Sequence, residues 1–348
     1  MILLFLTSEH IIKKENNFIR RFPQHTIKED QSYDLKVNSY YIAGVFKDTI
    51  YLGNTTSPFL LTKIDEDLKA TRTTYLNPDK DLRFRAPKIA VADQSFYLYD
   101  GTIPIIFKGL VSDPKGKAKT FSYQYAFFDQ IKPINDYQLV IRTQNNDNNR
   151  KIQNNQNVLG LLSFRPFEYL ILSRDALQKK KDGVFDTDGQ LLYDRNNEMI
   201  YYFYYYQSKI LQFDKSLQLL SEQKTIDHSI SKVPEVKTLS NGTKKIAVPA
   251  LPANQNMTVY KGIIFTQSNL MSKLETASLW KKNNVIDVYN MNESEYWGSI
   301  YLPNPEKEKV HQLLVYKNYL YVLIGKKIVK YRIAQTLTDQ FKQGKPKT

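Results

Sequence analysis

The sequence contains no cysteine at all. Disulfide frameworks, thiol catalysis and cysteine-ligated zinc are therefore excluded. Histidine is scarce as well. His10, His25, His228 and His311 stand alone, with no His-x-His or i, i+4 pair that could seed a metal site from one element. No Gly-x-Ser-x-Gly elbow, phosphate-binding glycine loop or Cys-x-x-Cys-His haem motif occurs. Long apolar runs are missing too. The apolar start Met1-Ile-Leu-Leu-Phe-Leu6 is far shorter than the ~20 residues of a membrane helix. It also has no basic n-region or small-residue cleavage site, and Thr7 to Arg21 turns polar and basic at once. Residues 1–25 thus read as a lead-in, either the remnant of an export signal or anchor, or else an extra strand or a fraying end. Membrane association is expected only through that segment.

What the chain does have is aromatic strand material. Its 348 residues are 42% hydrophobic and 13% aromatic, with 25 tyrosines and 18 phenylalanines, enough for a large all-β core. The net charge is +14, yet the basic residues are scattered apart from Lys179–Lys181 and the last few lysines. Asn, Lys, Ile, Tyr and Phe are all abundant, the bias of AT-rich coding sequence. Arginine does not cluster, so the charge argues against nucleic acid as the partner.

Between residues 40 and 333 a short core recurs: Asp48-Thr-Ile-Tyr-Leu52, Ser95-Phe-Tyr-Leu-Tyr99, Asp136-Tyr-Gln-Leu-Val140, Glu198-Met-Ile-Tyr-Tyr202, Lys261-Gly-Ile-Ile-Phe265 and Asn318-Tyr-Leu-Tyr-Val322. In each, a polar or small residue introduces an aliphatic and aromatic strand, and another strand follows a turn. The spacing of roughly 40–60 residues matches the blades of a β-propeller. Asp100-Gly101 marks a hairpin, and Pro104 marks an edge or bulge. The third unit is expected to begin at Ala126–Phe128. The tract 144–157, almost all Asn, Gln and Asp, reads as a hairpin insertion. Tyr201–Tyr206 carries aromatics on both faces of one strand, as a strand packed between two blades would. The last unit lacks one strand, and residues 26–41 can supply it and close the ring. The expected fold class is all-β: a six-bladed propeller of four-stranded antiparallel blades over residues 26–335, followed by a polar tail at 336–348.

The endings Ile286–Tyr289, Gly298–Leu302, Tyr319–Leu323 and Val329–Ile333 carry a resemblance to six-bladed propellers of the NHL, TolB-like and YncE-like types. It spans roughly residues 37–333 and is one of pattern, since no Trp-Asp dipeptide or kelch Gly-Gly recurs. The resemblance implies a fold and a scaffold role and carries over no catalytic residue.

Candidate chemistry is sparse. Asp186-Thr-Asp188-Gly189, with Asp194 beyond, matches the start of a calcium loop but lacks the third carboxylate and the closing Glu. Asp188-Gly189 reads instead as a hairpin turn. No metal and no cofactor is expected. Arg83, Arg85, Arg142 and Arg165 fall near strand ends, where guanidinium forks could hold a carboxylate or phosphate at a channel mouth. The expected function is a non-enzymatic propeller of the bacterial cell envelope, periplasmic or surface-exposed, that holds a protein or small ligand on one face. The alternatives are a cytoplasmic location, and a propeller enzyme of the lactonase, lyase or glycosidase sort. Oligomeric state leaves no mark in the sequence. Function is expected in the irregular stretches 144–157, 174–183 and 230–284.

Overall fold

Six four-stranded antiparallel sheets stand around a central channel in the computed structural model of the chain, which describes residues 16–144, 156–180, 182–228, 236–238, 244–246 and 252–341. Met1–Leu6, residues 145–155 of the polar tract and the last seven residues lie outside the described residues.

Blade 1 runs Tyr40–Phe46, Thr49–Asn54, Leu60–Asp65 and Thr71–Tyr75. Blade 2 is Lys88–Ala92, Ser95–Asp100, Ile105–Leu110 and Lys117–Tyr123, with Asn77–Pro78 added in parallel at its outer edge. Blade 3 is Gln130–Asn135, Gln138–Gln144, Asn157–Ser163 and Tyr169–Ser173. Blade 4 is Gly189–Asp194, Met199–Tyr204, Lys209–Phe213 and Leu219–Lys224. Blade 5 is Asn254–Tyr260, Ile263–Ser268, Asn283–Asn290 and Glu295–Pro303. Blade 6 takes three strands from the C-terminal end, Val310–Tyr316, Tyr319–Ile324 and Lys327–Ile333, and its fourth from the N-terminal side, Ile27–Asp34. That last pairing runs from Ile27 opposite Ile333 to Asp34 opposite Lys327, and it closes the ring as the pattern predicts. Closure leaves the third strand of blade 6 no open edge.

The first strand of each blade is innermost and touches the first strands of both neighbours. The core lies between blades. Tyr202 and Tyr204 pack on Leu159 and Leu161 of blade 3, while Tyr201 and Phe203 pack on Ile264 and Tyr289 of blade 5. The aromatic run therefore serves two interfaces at once, as its alternation requires. Each fully buried ring contributes about 1.5–3 kcal/mol of transfer free energy.

Two sequence expectations change. Blade 3 begins at Gln130, not at Ala126–Phe128, and its inner strand contains Pro133. An innermost strand has a ladder partner on one side only, so a proline is tolerated there. Asp188-Gly189 is not a hairpin turn; Gly189 opens the inner strand of blade 4.

The lead-in from Asn16 lies along blade 5. The backbone N–H of Ser299 donates to the Arg21 carbonyl at 2.8 Å, and Phe22 stacks on Tyr301 with ring centroids 4.0 Å apart. At the other end, the short helix Gln335–Thr338 buries Leu337, and Phe341 packs edge-on against Tyr260 and Phe265.

Candidate functional site

Side chains from the inner strands reach across the channel seams and bond the backbone of the next blade. Gln312 accepts from Ile42 N at 2.8 Å and donates to Ile42 O at 3.3 Å. Gln130 accepts from Leu191 N and donates to Gly189 O, both at 2.8 Å. Gln190 accepts from Met257 N at 3.0 Å and donates to Met257 O at 2.8 Å. Asn256 donates to Val310 O at 2.9 Å. The Tyr41 hydroxyl accepts from Ile89 N at 2.6 Å, and Gly53 leaves the space that its ring fills. These bonds satisfy the free backbone groups of an innermost strand, which have no ladder partner on the channel side.

The seam from blade 2 to blade 3 breaks the series. The residue of blade 2 that corresponds to Gln130 is Lys88, at the start of its inner strand. Lys88 is exposed, and among the described residues its side chain has neither a hydrogen-bond nor an ion-pair partner. Lys132, two residues beyond Gln130, lines the channel and has no carboxylate partner either. Burial and the neighbouring Lys88 both push the Lys132 ammonium below the usual lysine range. Two like charges thus stand at one seam, Lys132 in the channel wall and Lys88 at the solvent.

The cavity that Lys132 lines measures about 350 Å³. One wall is made of small residues, Ala43, Gly44, Ala90 and Ala92. A Cβ on Gly44 would lie 2.1 Å from the Val91 carbonyl oxygen, so the inner strands of blades 1 and 2 can approach only with glycine there. The opposite side carries Tyr193, Asp194, Arg195, Tyr260 and Tyr316. Its charges are already committed. Asp194 accepts from Gly262 N at 2.6 Å and Asn196 N at 3.0 Å, and Arg195 pairs with Asp93 at 2.8 Å. The Tyr316 hydroxyl donates to Asp48 at 2.8 Å.

The four arginines expected at a channel mouth occupy three different settings. Arg83 and Arg85 are exposed on the connection from blade 1 to blade 2. Arg142 is buried at the end of the second strand of blade 3. It pairs with Asp129 and, at 2.6 Å, with Asp188, and donates to Gly189 O and the Tyr202 hydroxyl. Burial opposes its charge, but Tyr202, Asp129 and Asp188 outweigh burial and the net shift is upward. Arg165 lies in the turn between the third and fourth strands of blade 3, its guanidinium 3.4 Å from the Tyr137 ring centroid. The fragment of calcium-loop pattern is used internally. Asp186 accepts from Gly183 N and Lys180 N, both at 2.7 Å, and among the described residues no His, Asp and Glu group could hold a metal.

Around Arg83 and Arg85 lies a surface that the sequence did not mark. Asp100 Oδ2 accepts from Arg85 N at 2.7 Å and Ala86 N at 2.8 Å. The same turn receives the next connection: Phe128 N donates to Gly101 O at 3.3 Å, and Gln124 N to Pro104 O at 2.8 Å. Two loops are thus lashed to one turn, on the face where outer strands lead into inner ones. There Phe127 is 65% exposed, and Tyr123 and Tyr125 are exposed beside it. Lys80 sits 4.4 Å from the centroid of Tyr123. Among the described residues, the side chains of Lys80, Arg83 and Arg85 have no carboxylate partner.

This architecture is that of a six-bladed β-propeller. Solved structures agree with the fold. The chain is similar to a member of the DUF4221 family from Bacteroides vulgatus, with 12% identity, a TM-score of 0.53, and coverage of 92% of this chain and 100% of that one. A structural-genomics protein of unknown function from Bacteroides thetaiotaomicron shows 10% identity, a TM-score of 0.50, and coverage of 92% and 74%. Virginiamycin B lyase from Staphylococcus aureus shows 11% identity, a TM-score of 0.49, and coverage of 88% and 100%. At these identities the likeness is one of fold alone. No family model matches the sequence, and no curated protein matches it.

Proposed function

We propose that the chain is a binding or scaffold propeller that holds an acidic segment of a protein partner on the face formed by the loops 79–87 and 124–129. The observation that carries this reading is the patch of exposed Tyr123, Tyr125 and Phe127 beside three cations without carboxylate partners. Arginine and tyrosine are the residue types that dominate binding energy at protein interfaces, where an aromatic ring fills a pocket and a guanidinium grips a carboxylate. The surface is also held in shape before any partner arrives, because both loops bond the turn at Asp100–Pro104. A preformed surface loses less entropy on association.

The test is fluorescence anisotropy with a labelled peptide of repeating Asp-Asp-Phe, about a dozen residues long, read against a Lys-Lys-Phe control. Arg83→Glu with Arg85→Glu should abolish binding, and Phe127→Ala should weaken it about tenfold or more. Phe167→Ala, an exposed ring in a turn on the opposite face, should leave it unchanged. Equal binding by all variants would sink the reading, as would tighter binding of a polyuronate or of RNA than of the acidic peptide.

A further inference from the structure

Five of the six channel seams are bridged by a neutral side chain from the inner strand of one blade to the backbone of the next. At the remaining seam, between blades 2 and 3, the corresponding position is Lys88, and Lys132 stands near it in the cavity wall. We infer that this seam binds a small dianion, a dicarboxylate or a phosphate monoester, held between Lys132 in the cavity wall and the exposed Lys88 at the end of the same seam.

Three observations converge on that ligand. The charge to be balanced is two, and the other charged side chains of the cavity are engaged with protein partners. The open space is on the right scale, about 350 Å³, at the lower end of small-molecule pockets. It is also on the right side, since Ala90 and Ala92 of blade 2 leave room where larger side chains would close the seam. A lysine pair favours this class of ligand over a planar carboxylate fork, because ammonium groups act as compact point charges with rotatable donors. Such a site costs stability while empty. Lys132 is enclosed in the channel wall, meets no counter-charge, and has the like charge of the exposed Lys88 nearby. The five neutral bridges show what the fold does where no ligand is needed. The site lies at a channel seam and shares no residue with the outer surface assigned to a protein partner.

The experiment is isothermal titration of the full chain with inorganic phosphate and, separately, with succinate, at constant ionic strength set by sodium chloride. Thermal unfolding is followed in parallel. Saturable one-to-one binding of either anion is expected for the natural sequence. Lys132→Met, which keeps the bulk of the side chain, should weaken it by about tenfold or more. The diagnostic variant is Lys88→Gln, which places at this seam the residue found at Gln130, Gln190 and Gln312. It should lose anion binding and yet melt at a higher temperature than the natural chain without ligand. Binding unchanged in both variants, or no saturable heat from either anion with the natural chain, would overturn the assignment. Preference for phosphate or for succinate tells a phosphate ester from a dicarboxylate as the natural occupant.

Discussion

Arg20 grips Asp287 with two parallel hydrogen bonds, Nε to Oδ1 at 2.8 Å and Nη2 to Oδ2 at 3.0 Å, across a separation of 267 residues. The rest of the guanidinium is equally engaged: Nη1 donates to Glu275 and the Leu270 carbonyl, both at 2.7 Å, and Nη2 to the Ser268 hydroxyl at 2.7 Å. All five donors are used in a site closed to solvent. Burial disfavours this charge, but Asp287 and Glu275 more than offset it and the net shift is upward. Removing the cation leaves two buried carboxylates without it. Arg20→Ala should therefore destabilise the fold by about 3–5 kcal/mol, measured by urea unfolding. A cost below about 1 kcal/mol would show that the lead-in is dispensable.

The same neighbourhood sets a pH dependence. Asp227 is 2% exposed, accepts hydrogen bonds from Thr225 and Asn254, and faces Asp287, Arg20 and Tyr289. Burial raises its pKa above the ordinary 3.8, and Asp287 adds to the rise. The folded state then holds this proton more tightly than the unfolded chain. The contribution to stability is complete below 3.8 and is lost as the pH climbs through the raised folded value. Asn254 Oδ1, buried without a donor, marks where a neutral Asp227 would donate once the Asn254 amide turned over. Asp227→Asn should melt higher than the natural chain at neutral pH, with the gap closing towards pH 4. A gap constant across that range would refute the account.

Each channel bridge can be weighed separately. Gln190→Leu leaves the N–H and carbonyl of Met257 without their partner, and Gln312→Leu does the same at Ile42. Either substitution should cost about 1–3 kcal/mol, because an unmet buried group loses its hydration as well as its bond. The two glutamines share no hydrogen-bond partner, so the double variant should show nearly additive losses in chemical denaturation. Strong coupling would mean that the ring responds as one unit.

Deleting residues 16–34 removes both the Arg20 contacts and the fourth strand of blade 6. Lys327–Ile333 would then present an unpaired edge. The truncated chain should aggregate on concentration, seen by light scattering, while the full chain stays dispersed. A stable, monodisperse truncation would show that three strands suffice for that blade.

Much of the ring is legible in the sequence because each blade repeats a strand whose alternation serves two interfaces. Tyr201–Tyr204 is the clearest case: both faces are buried, so every position carries a strong apolar signal. The inner strand of blade 3 is less visible. Gln130, Lys132 and Pro133 look like loop residues, and their logic appears only when the next blade supplies Gly189 and Leu191 as partners. Arg83 and Arg85 stand out as cations near a strand end, but the exposed ring of Phe127 beside them cannot be told from the buried one of Phe128 by residue type. Arg142 carries the same sequence signal as Arg85. What separates them is Asp129 and Asp188, brought to Arg142 by the packing of blade 4 on blade 3. The break at Lys88 is hidden for a related reason. It is an absence within a series that exists only once the blades are in register.

Pairing Ile27–Asp34 with Lys327–Ile333 also imposes an order on synthesis. The strand that leaves the ribosome among the first must wait, unsatisfied, while five blades are made and the sixth is begun. Blades 1 to 5 are each contiguous in the chain and can assemble as they emerge, whereas the ring locks only after Ile333 has cleared the exit tunnel. Ring locking therefore joins strands about 300 residues apart in sequence, Ile27 with Ile333, and it is the last pairing of the six blades to form.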